Sequence, residues 1–250
     1  QRKPVQTKSN LLKKFRIILC RTSHPGNIGS SARALKTMGF SRLYLVKPNN
    51  FPSSEADALA SGADDILKEA IVIESLEDAL IGVNFTVGFT ARKRELTQPH
   101  EDIRTTATNI LPIAEKNEVA LLFGNETNGL SNDEIKHCQK LSFIDANKSY
   151  SSLNLSQAVQ IACHEIRMMT GLYLKNDIIK VTPTKYVSHV VLNGFFNHLE
   201  SVLDQIGFLK KIQAERLMQR LRLMFNRSNL DKDEVNILRG ILSEIQKKLK

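Results

Sequence analysis

Phe15-Arg-Ile-Ile-Leu-Cys20, then Arg21-Thr-Ser-His-Pro-Gly-Asn-Ile-Gly29, then Ser30-Ser-Ala-Arg-Ala-Leu-Lys-Thr-Met38 and Gly39: this stretch decides the architecture. Six residues with four apolar side chains and two adjacent isoleucines read as a buried strand. A polar loop with a proline and two glycines follows. Ser30 to Met38 then reads as a helix that stops at Gly39, a residue suited to the left-handed helix end. The same unit recurs down the chain. Leu43–Val46, Ile71–Ile73, Val83–Phe89, Val119–Phe123 and Leu141–Ile144 read as strands. Glu55–Ser61, Ser75–Leu80, Ile103–Glu115 and Leu153–Leu174 read as helices, with Pro112 weakening the end of the third. Ser131 with Glu134 three residues on is a capping box opening another helix. Strands that alternate with helices predict an α/β fold, a mainly parallel sheet flanked by helices on both faces.

Beyond Leu174 the pattern changes. Lys175 to Lys185, with Pro183, reads as the start of a linker over 175–190. Phe195, Leu199, Val202, Leu203 and Ile206 then fall at helical spacing, as do Ile237, Leu238, Ile241, Leu242, Ile245 and Leu249 after a cap-like Asp231 and Glu234. The expected organisation is a basic N-terminal arm over 1–14, the α/β domain over 15–174 and a small α-helical extension over 191–250.

Charge sits at the two ends. Residues 1–16 carry six Lys or Arg and no acid, and 208–250 carry eleven basic against five acidic residues; the body between has 18 basic and 21 acidic. A near-neutral body with basic ends suggests a polyanion held from the periphery, although a solvated arm and a Lys-rich helix would look the same. No apolar run approaches a membrane span, and Gln1–Asn10 lacks the apolar core of a secretory signal. Cys20, Cys138 and Cys163 are odd in number and far apart, which argues against a disulfide framework or a zinc site. A cytoplasmic protein with no metal is expected.

No P-loop, no G-x-G-x-x-G after a strand, no G-x-S-x-G elbow and no H-E-x-x-H occurs. Ligand binding must use other loops, and open α/β sheets bind at strand C-terminal ends. Three such loops stand out. His24 to Arg33 offers Gly26 and Gly29 for tight turns, small residues at a helix start where free amides attract phosphate, and the fixed charge of Arg33. Phe123-Gly-Asn-Glu-Thr-Asn-Gly-Leu130 offers Glu126, which could hold a ligand or orient Arg33. Ile144 to Ser156 brings Ser151, Ser152, Asn154 and Ser156 to the start of a long helix. Each loop alone is as well read as a glycine turn, a polar connection or a plain N-cap. Three together could enclose one ligand.

In order and spacing these segments resemble the three signature motifs of the SpoU branch of the SPOUT RNA methyltransferases, and are most similar to its TrmJ type, which acts on tRNA. The resemblance is carried by Thr22-Ser-His, Ala34-Leu-Lys-Thr-Met-Gly39, Phe89-Thr-Ala-Arg92, Phe123-Gly124, Asn128-Gly-Leu-Ser-Asn132, Tyr150-Ser-Ser-Leu-Asn-Leu155 and Asn236-Ile-Leu-Arg-Gly-Ile-Leu242. It implies the SPOUT fold, with a deep trefoil knot that no periodicity reveals, and a homodimer whose site is completed near the subunit interface. It implies S-adenosyl-L-methionine as methyl donor, with S-adenosyl-L-homocysteine as product, held by Phe89, Thr90, Ala91, Gly124, Ile144, Ser151, Ser152 and Leu153. It places Asn27, Arg33, Glu126, Ser152 and Asn154 around the reacting centre. The implied reaction is 2′-O-methylation of a tRNA ribose, at nucleotide 32 of the anticodon loop. A fully charged Arg33 is a poor base, so clamping a phosphate is its expected task. Arg92 and Arg94, and Arg216, Arg220 and Arg227 on one helix face, are the expected RNA contacts. Two other readings stay open: a ribosomal RNA methyltransferase of the same branch, and a silent RNA-binding module.

Overall fold

The computed structural model describes residues 7–91, 100–147, 149–175, 184–210 and 212–249. Seven strands form one sheet in the order β3-β2-β1-β6-β4-β7-β5. They are β1 (Phe15–Cys20), β2 (Leu43–Val46), β3 (Ile71–Ile73), β4 (Phe85–Phe89), β5 (His100–Asp102), β6 (Val119–Phe123) and β7 (Lys140–Phe143). Every pairing is parallel. All strand C-termini therefore point to one edge. β1, β4 and β6 are buried along their whole length, which is why they read as mostly apolar runs, broken only by Arg16, Thr86 and Gly88, rather than alternating ones.

The helices of the α/β domain are α1 (Lys8–Leu12), α2 (Pro25–Met38), α3 (Ser54–Ala60), α4 (Asp64–Lys68), α5 (Leu76–Ala79), α6 (Ile103–Ala114), α7 (Asn132–Ile135) and α8 (Leu155–Leu174). One face of the sheet is covered through Leu35, Ile110, Val159 and Ile166, and the other through Leu76, Leu80 and Ile135. The Ser131 capping box is formed, and Gly39 ends α2 at φ 80°. Pro112 lies inside α6 without ending it.

Four elements depart from the sequence reading, the short helix α4 among them. Residues 7–14, grouped with the basic arm by charge, contain α1, and Leu11 and Leu12 are fully buried in the main core. Two adjacent leucines among lysines carry no periodicity, so only packing reveals their role. β5 is three polar residues at the sheet edge, too short to show a strand pattern. Helix α2 begins at Pro25, not Ser30. Proline at a helix start has no amide to leave unsatisfied, so the expected loop is the first turns of the helix.

The extension folds as α9 (His189–Gln205), α10 (Ala214–Ser228) and α11 (Lys232–Lys248) around its own core of Phe195, Phe196, Val202, Val235 and Leu242. A capping box formed by Asp231 and Glu234 starts α11. The extension docks on the α/β domain through polar contacts. Asn226 Nδ2 donates to the carbonyls of Lys136 and Cys138 at 3.2 and 3.4 Å, the His189 amide donates to Val83 O at 2.7 Å, and His137 Nδ1 lies 3.0 Å from His189 Nε2. Burial holds the pKa of both imidazoles below the ordinary histidine value. Among the described residues no helix is long and apolar enough to cross a membrane.

Candidate active site

The loops after β4, β6 and β7 leave adjacent strands on the same sheet edge and enclose a cleft of about 260 Å³. Phe89, Thr90 and Ala91 form one side and Gly124 to Gly129 another; Ile144, Ser151, Ser152 and Leu153 form a third, with Leu155 and Ala158 of α8 completing it. The eight residues expected to hold a donor all line this cleft. Phe89 and Phe123 are partners in the β4–β6 register, and their rings stack at 4.5 Å and 7°.

The β6 loop folds back on itself. Gly129 adopts φ 66°, its amide donates to Asn125 O at 2.7 Å, and Asn125 Oδ1 accepts from the amide of Thr127 at 2.9 Å. A Cβ on Gly124 would lie 2.1 Å from both Gly129 C and Leu130 N, so only glycine permits the fold-back.

Glu126 is the hub of a polar network across two loops and one helix start. Its Oε2 accepts from the Ser23 amide at 2.9 Å and the Ser23 hydroxyl at 2.7 Å. Its Oε1 accepts from Asn27 Nδ2 at 2.9 Å and the His24 amide at 3.2 Å. Asn27 Oδ1 in turn accepts from Asn154 Nδ2 at 2.9 Å. Asn154 also caps α8, accepting from the Ser156 amide and hydroxyl. Partial burial raises the Glu126 pKa, but hydrogen bonds from Ser23 and Asn27 outweigh it and hold the carboxyl at about 2. Glu126 is thus an anion throughout the neutral range.

That shift predicts a pH effect. The folded value of about 2 lies below the ordinary 4.5. The unfolded chain therefore binds more protons in between, so this stabilisation is complete above 4.5 and fades as pH falls towards 2. Glu126→Gln should lower stability at pH 7 by about 1–2 kcal/mol, because an amide NH2 would face donors. The variant should lose less stability than wild type on acidification. Chemical denaturation at pH 7 and pH 3 measures both; an equal loss in the two proteins would refute the assignment.

Other expectations change. Ser30, Ser31 and Ala32 lie beyond the first turn of α2, so their amides are not free for phosphate. Gly26 and Gly29 serve packing: a Cβ on Gly29 would sit 2.0 Å from Ala56 O, and one on Gly26 would sit 2.7 Å from the Leu59 side chain. Arg33 is exposed on α2, does not line the cleft, and makes no side-chain hydrogen bond or ion pair with a described residue. Glu126 is engaged by Ser23, His24 and Asn27 and does not orient Arg33 in the same chain. Arg92 and Arg94 lie outside the described residues. Arg216, Arg220 and Arg227 are exposed on α10 and do not line the cleft. Arg222, between them in sequence, turns inward, over the Phe196 ring at 4.6 Å and donating to Asn193 at 3.1 Å.

Sequence reasoning missed Ser23 and Asn125 as organisers. For Asn125 a signal existed, since an Asn before polar residues and a glycine favours a side chain that bonds its own backbone two residues on. For Ser23 none did. Among the described residues no group of three or more His, Cys, Asp or Glu is arranged to hold a metal ion.

Comparison with known proteins agrees with this fold. The SpoU rRNA methylase family matches residues 14–164, and the C-terminal domain of the tRNA methyltransferase TrmJ matches residues 191–250. The tRNA (cytidine/uridine/adenosine-2′-O-)-methyltransferase TrmJ of Pseudomonas aeruginosa is 44% identical over 245 residues, covering 95% of either chain. The crystal structure of TrmJ from Z. mobilis superposes with a TM-score of 0.80 at 29% identity, over 92% of this chain and 98% of that one. An AdoMet-bound rRNA methyltransferase from Sinorhizobium meliloti superposes with a TM-score of 0.50 at 26% identity, over 62% and 56%. By sequence, by fold and by its helical extension, this chain belongs to the SpoU methylase family, with the C-terminal domain of its TrmJ members.

Proposed function

We propose that this chain is an S-adenosylmethionine-dependent tRNA (cytidine/uridine-2′-O-)-methyltransferase that acts on the ribose of nucleotide 32 in the anticodon loop. The observation that carries the reading is the convergence of the β4, β6 and β7 loops on one cleft beside the Glu126–Asn27–Asn154 network. The cleft fits the donor chemically. Ile144, Leu153, Leu155 and Ala158 offer apolar surface for a flat base, and the ionised Glu126 suits a ligand with a net positive charge. A bound donor supplies an electrophilic methyl group on sulfonium, which the attacking ribose 2′-oxygen takes. The knotted threading implied by the resemblance belongs to this reading.

Phe89, Thr90, Ala91, Gly124, Ile144, Ser151, Ser152 and Leu153 hold the donor. Asn27, Asn154 and Ser152 flank the reacting centre, with Glu126 fixing Asn27. Arg33 clamps the target phosphate through its two-pronged guanidinium and orients the 2′-hydroxyl, whose proton leaves to that phosphate or to water. An Arg33 that is exposed and does not line its own cleft suits a homodimer whose site is completed by the second copy. The cytoplasm, where tRNA resides, is the proposed compartment.

Mapping 2′-O-methyl groups in unmodified tRNA incubated with and without the enzyme tests the assignment. A new methyl at position 32 is expected. Methylation of ribosomal RNA fragments alone would favour the other SpoU activity, and no heat on calorimetric titration with S-adenosylmethionine would favour a silent module. The TrmJ-type extension is what favours tRNA.

Arg216, Arg220 and Arg227 are proposed to grip tRNA outside the active site. Their combined replacement by alanine should weaken tRNA binding about 10-fold or more and flatten its dependence on salt by about two to three counterions. Filter binding across a salt series reads both. Unchanged affinity would remove α10 from the RNA interface.

A further inference from the structure

At the end of β1, Arg21 takes a left-handed backbone conformation, φ 53°, which is unfavourable for a residue with a side chain. Its surroundings account for that conformation. The Arg21 amide donates to Val46 O at 2.7 Å, at the end of β2. The Arg21 carbonyl accepts from Asn125 Nδ2 at 2.7 Å, in the β6 loop. The guanidinium makes a two-pronged pair with Glu134, Nε to Oε1 at 2.9 Å and Nη2 to Oε2 at 2.8 Å. The same Nη2 donates to Gly129 O at 3.2 Å.

These contacts close a circuit around one end of the cleft. Glu134 is buried, and its Oε2 also accepts from the Ser131 amide at 2.6 Å, in the capping box of α7. Burial raises the Glu134 pKa, but the Arg21 and Ser131 bonds lower it more, so the carboxylate stays charged. Gly129 is the far end of the fold-back that Gly124 begins, and both line the cleft. The near end of the loop is fixed by Glu126 on Ser23 and Asn27. The far end has Arg21 and its partner Glu134. Arg21 does not itself line the cleft.

We infer that Arg21 is a positioning residue, which holds the Gly124–Gly129 loop in its ligand-ready shape through Gly129 O and Glu134 and thereby sets affinity for the methyl donor. The inference rests on the reading of the cleft as the donor site. Loss of Arg21 leaves Glu134 a buried, half-paired charge and releases the Gly129 carbonyl, so the loop samples shapes that do not fit the donor. The reacting network of Glu126, Asn27 and Asn154 has its own hydrogen bonds and is left in place. The effect belongs in donor affinity and not in the rate at saturation. Lysine keeps the charge but lacks the planar fork that serves Glu134 and Gly129 together.

The test compares full-length wild type with Arg21→Ala, Arg21→Lys, Glu134→Gln and Arg21→Ala/Glu134→Gln. S-adenosylmethionine and S-adenosylhomocysteine affinities are measured by calorimetry, and kcat and donor KM by tRNA methylation at a temperature where every variant is folded. Arg21→Ala should bind donor about tenfold more weakly, with donor KM rising in step and kcat within about twofold of wild type. Arg21→Lys should recover part of the affinity. The double variant should lose less than the product of the two single losses, because the residues act through one pair. If the variants melt earlier but bind donor as wild type does, Arg21 is a structural residue only and the inference fails. If kcat falls while donor affinity holds, it also fails. If wild type itself takes up no donor, the reading of the cleft fails first, a result distinct from either.

Discussion

Gly124→Ala is expected to abolish productive donor binding, with affinity lower by on the order of 100-fold or more. The added Cβ would fall 2.1 Å from the carbonyl carbon of Gly129 and from the amide nitrogen of Leu130. Both atoms are backbone, so no side chain can rotate away. Either the fold-back opens or the start of the loop shifts, and both movements carry the Glu126 end of the loop with them. Leu130 is buried beneath it, so the strain also reaches the core, at about 1–3 kcal/mol. Gly129→Ala is the internal comparison. No atom lies within 4 Å of its Cβ position, and the cost there is the left-handed backbone alone, about 1–2 kcal/mol. Calorimetric titration with S-adenosylmethionine, with melting curves alongside, separates the two. Equal donor affinity in Gly124→Ala and wild type would show that the fold-back does not shape the site.

Arg33→Lys is the second large effect, and it should fall on chemistry alone. Removing one well-placed charged donor from a developing transition state typically costs 100- to 1000-fold in rate, roughly 3–4 kcal/mol. Lysine keeps the positive charge, so a simple attraction to phosphate would survive the change. A two-pronged clamp would not. Because Arg33 is exposed and does not line the cleft of its own chain, donor affinity should stay as in wild type. Single-turnover methylation of tRNA with donor in excess measures the rate, and calorimetry measures donor binding. Near wild-type turnover in Arg33→Lys would refute the clamp. A large loss of donor affinity would place Arg33 beside the donor instead.

Much of the fold was legible because the strands that matter are buried on both faces. Val119–Phe123 is apolar end to end, Phe15–Cys20 and Phe85–Phe89 are mostly apolar with Arg16 and Thr86 as their polar members, and helices separate the three in sequence, which leaves a parallel sheet as the arrangement that covers every face. Elements without such a signature were lost. Leu11 and Leu12 sit among lysines, and His100–Asp102 is a polar edge strand. The start of α2 was misplaced because Pro25-Gly26-Asn27 has the composition of a turn, and only contact with α3 shows that its glycines serve close packing.

The candidate site divides in the same way. Gly124, Glu126, Ser151, Ser152 and Asn154 stood out in sequence because glycine and small polar residues after an apolar strand are costly unless they turn the chain or meet a ligand. Sequence by itself determined the parallel α/β sheet, the helical extension, and two of the three loops that enclose the cleft, those after β6 and β7; the loop from His24 to Arg33 lines no part of it, and β4 supplies the third side. It determined the family as well, through motifs whose order survives translation into structure. Tertiary structure alone decided who meets whom. It joined Glu126 to Ser23 and Asn27 across about a hundred positions of chain, turned Arg21 back onto Gly129 and Glu134, and left Arg33 exposed, outside the lining of its own chain's cleft. The reason is physical. Periodicity and turn chemistry are local, whereas these pairings depend on which strands lie side by side, and neighbours in this sheet come from distant parts of the chain.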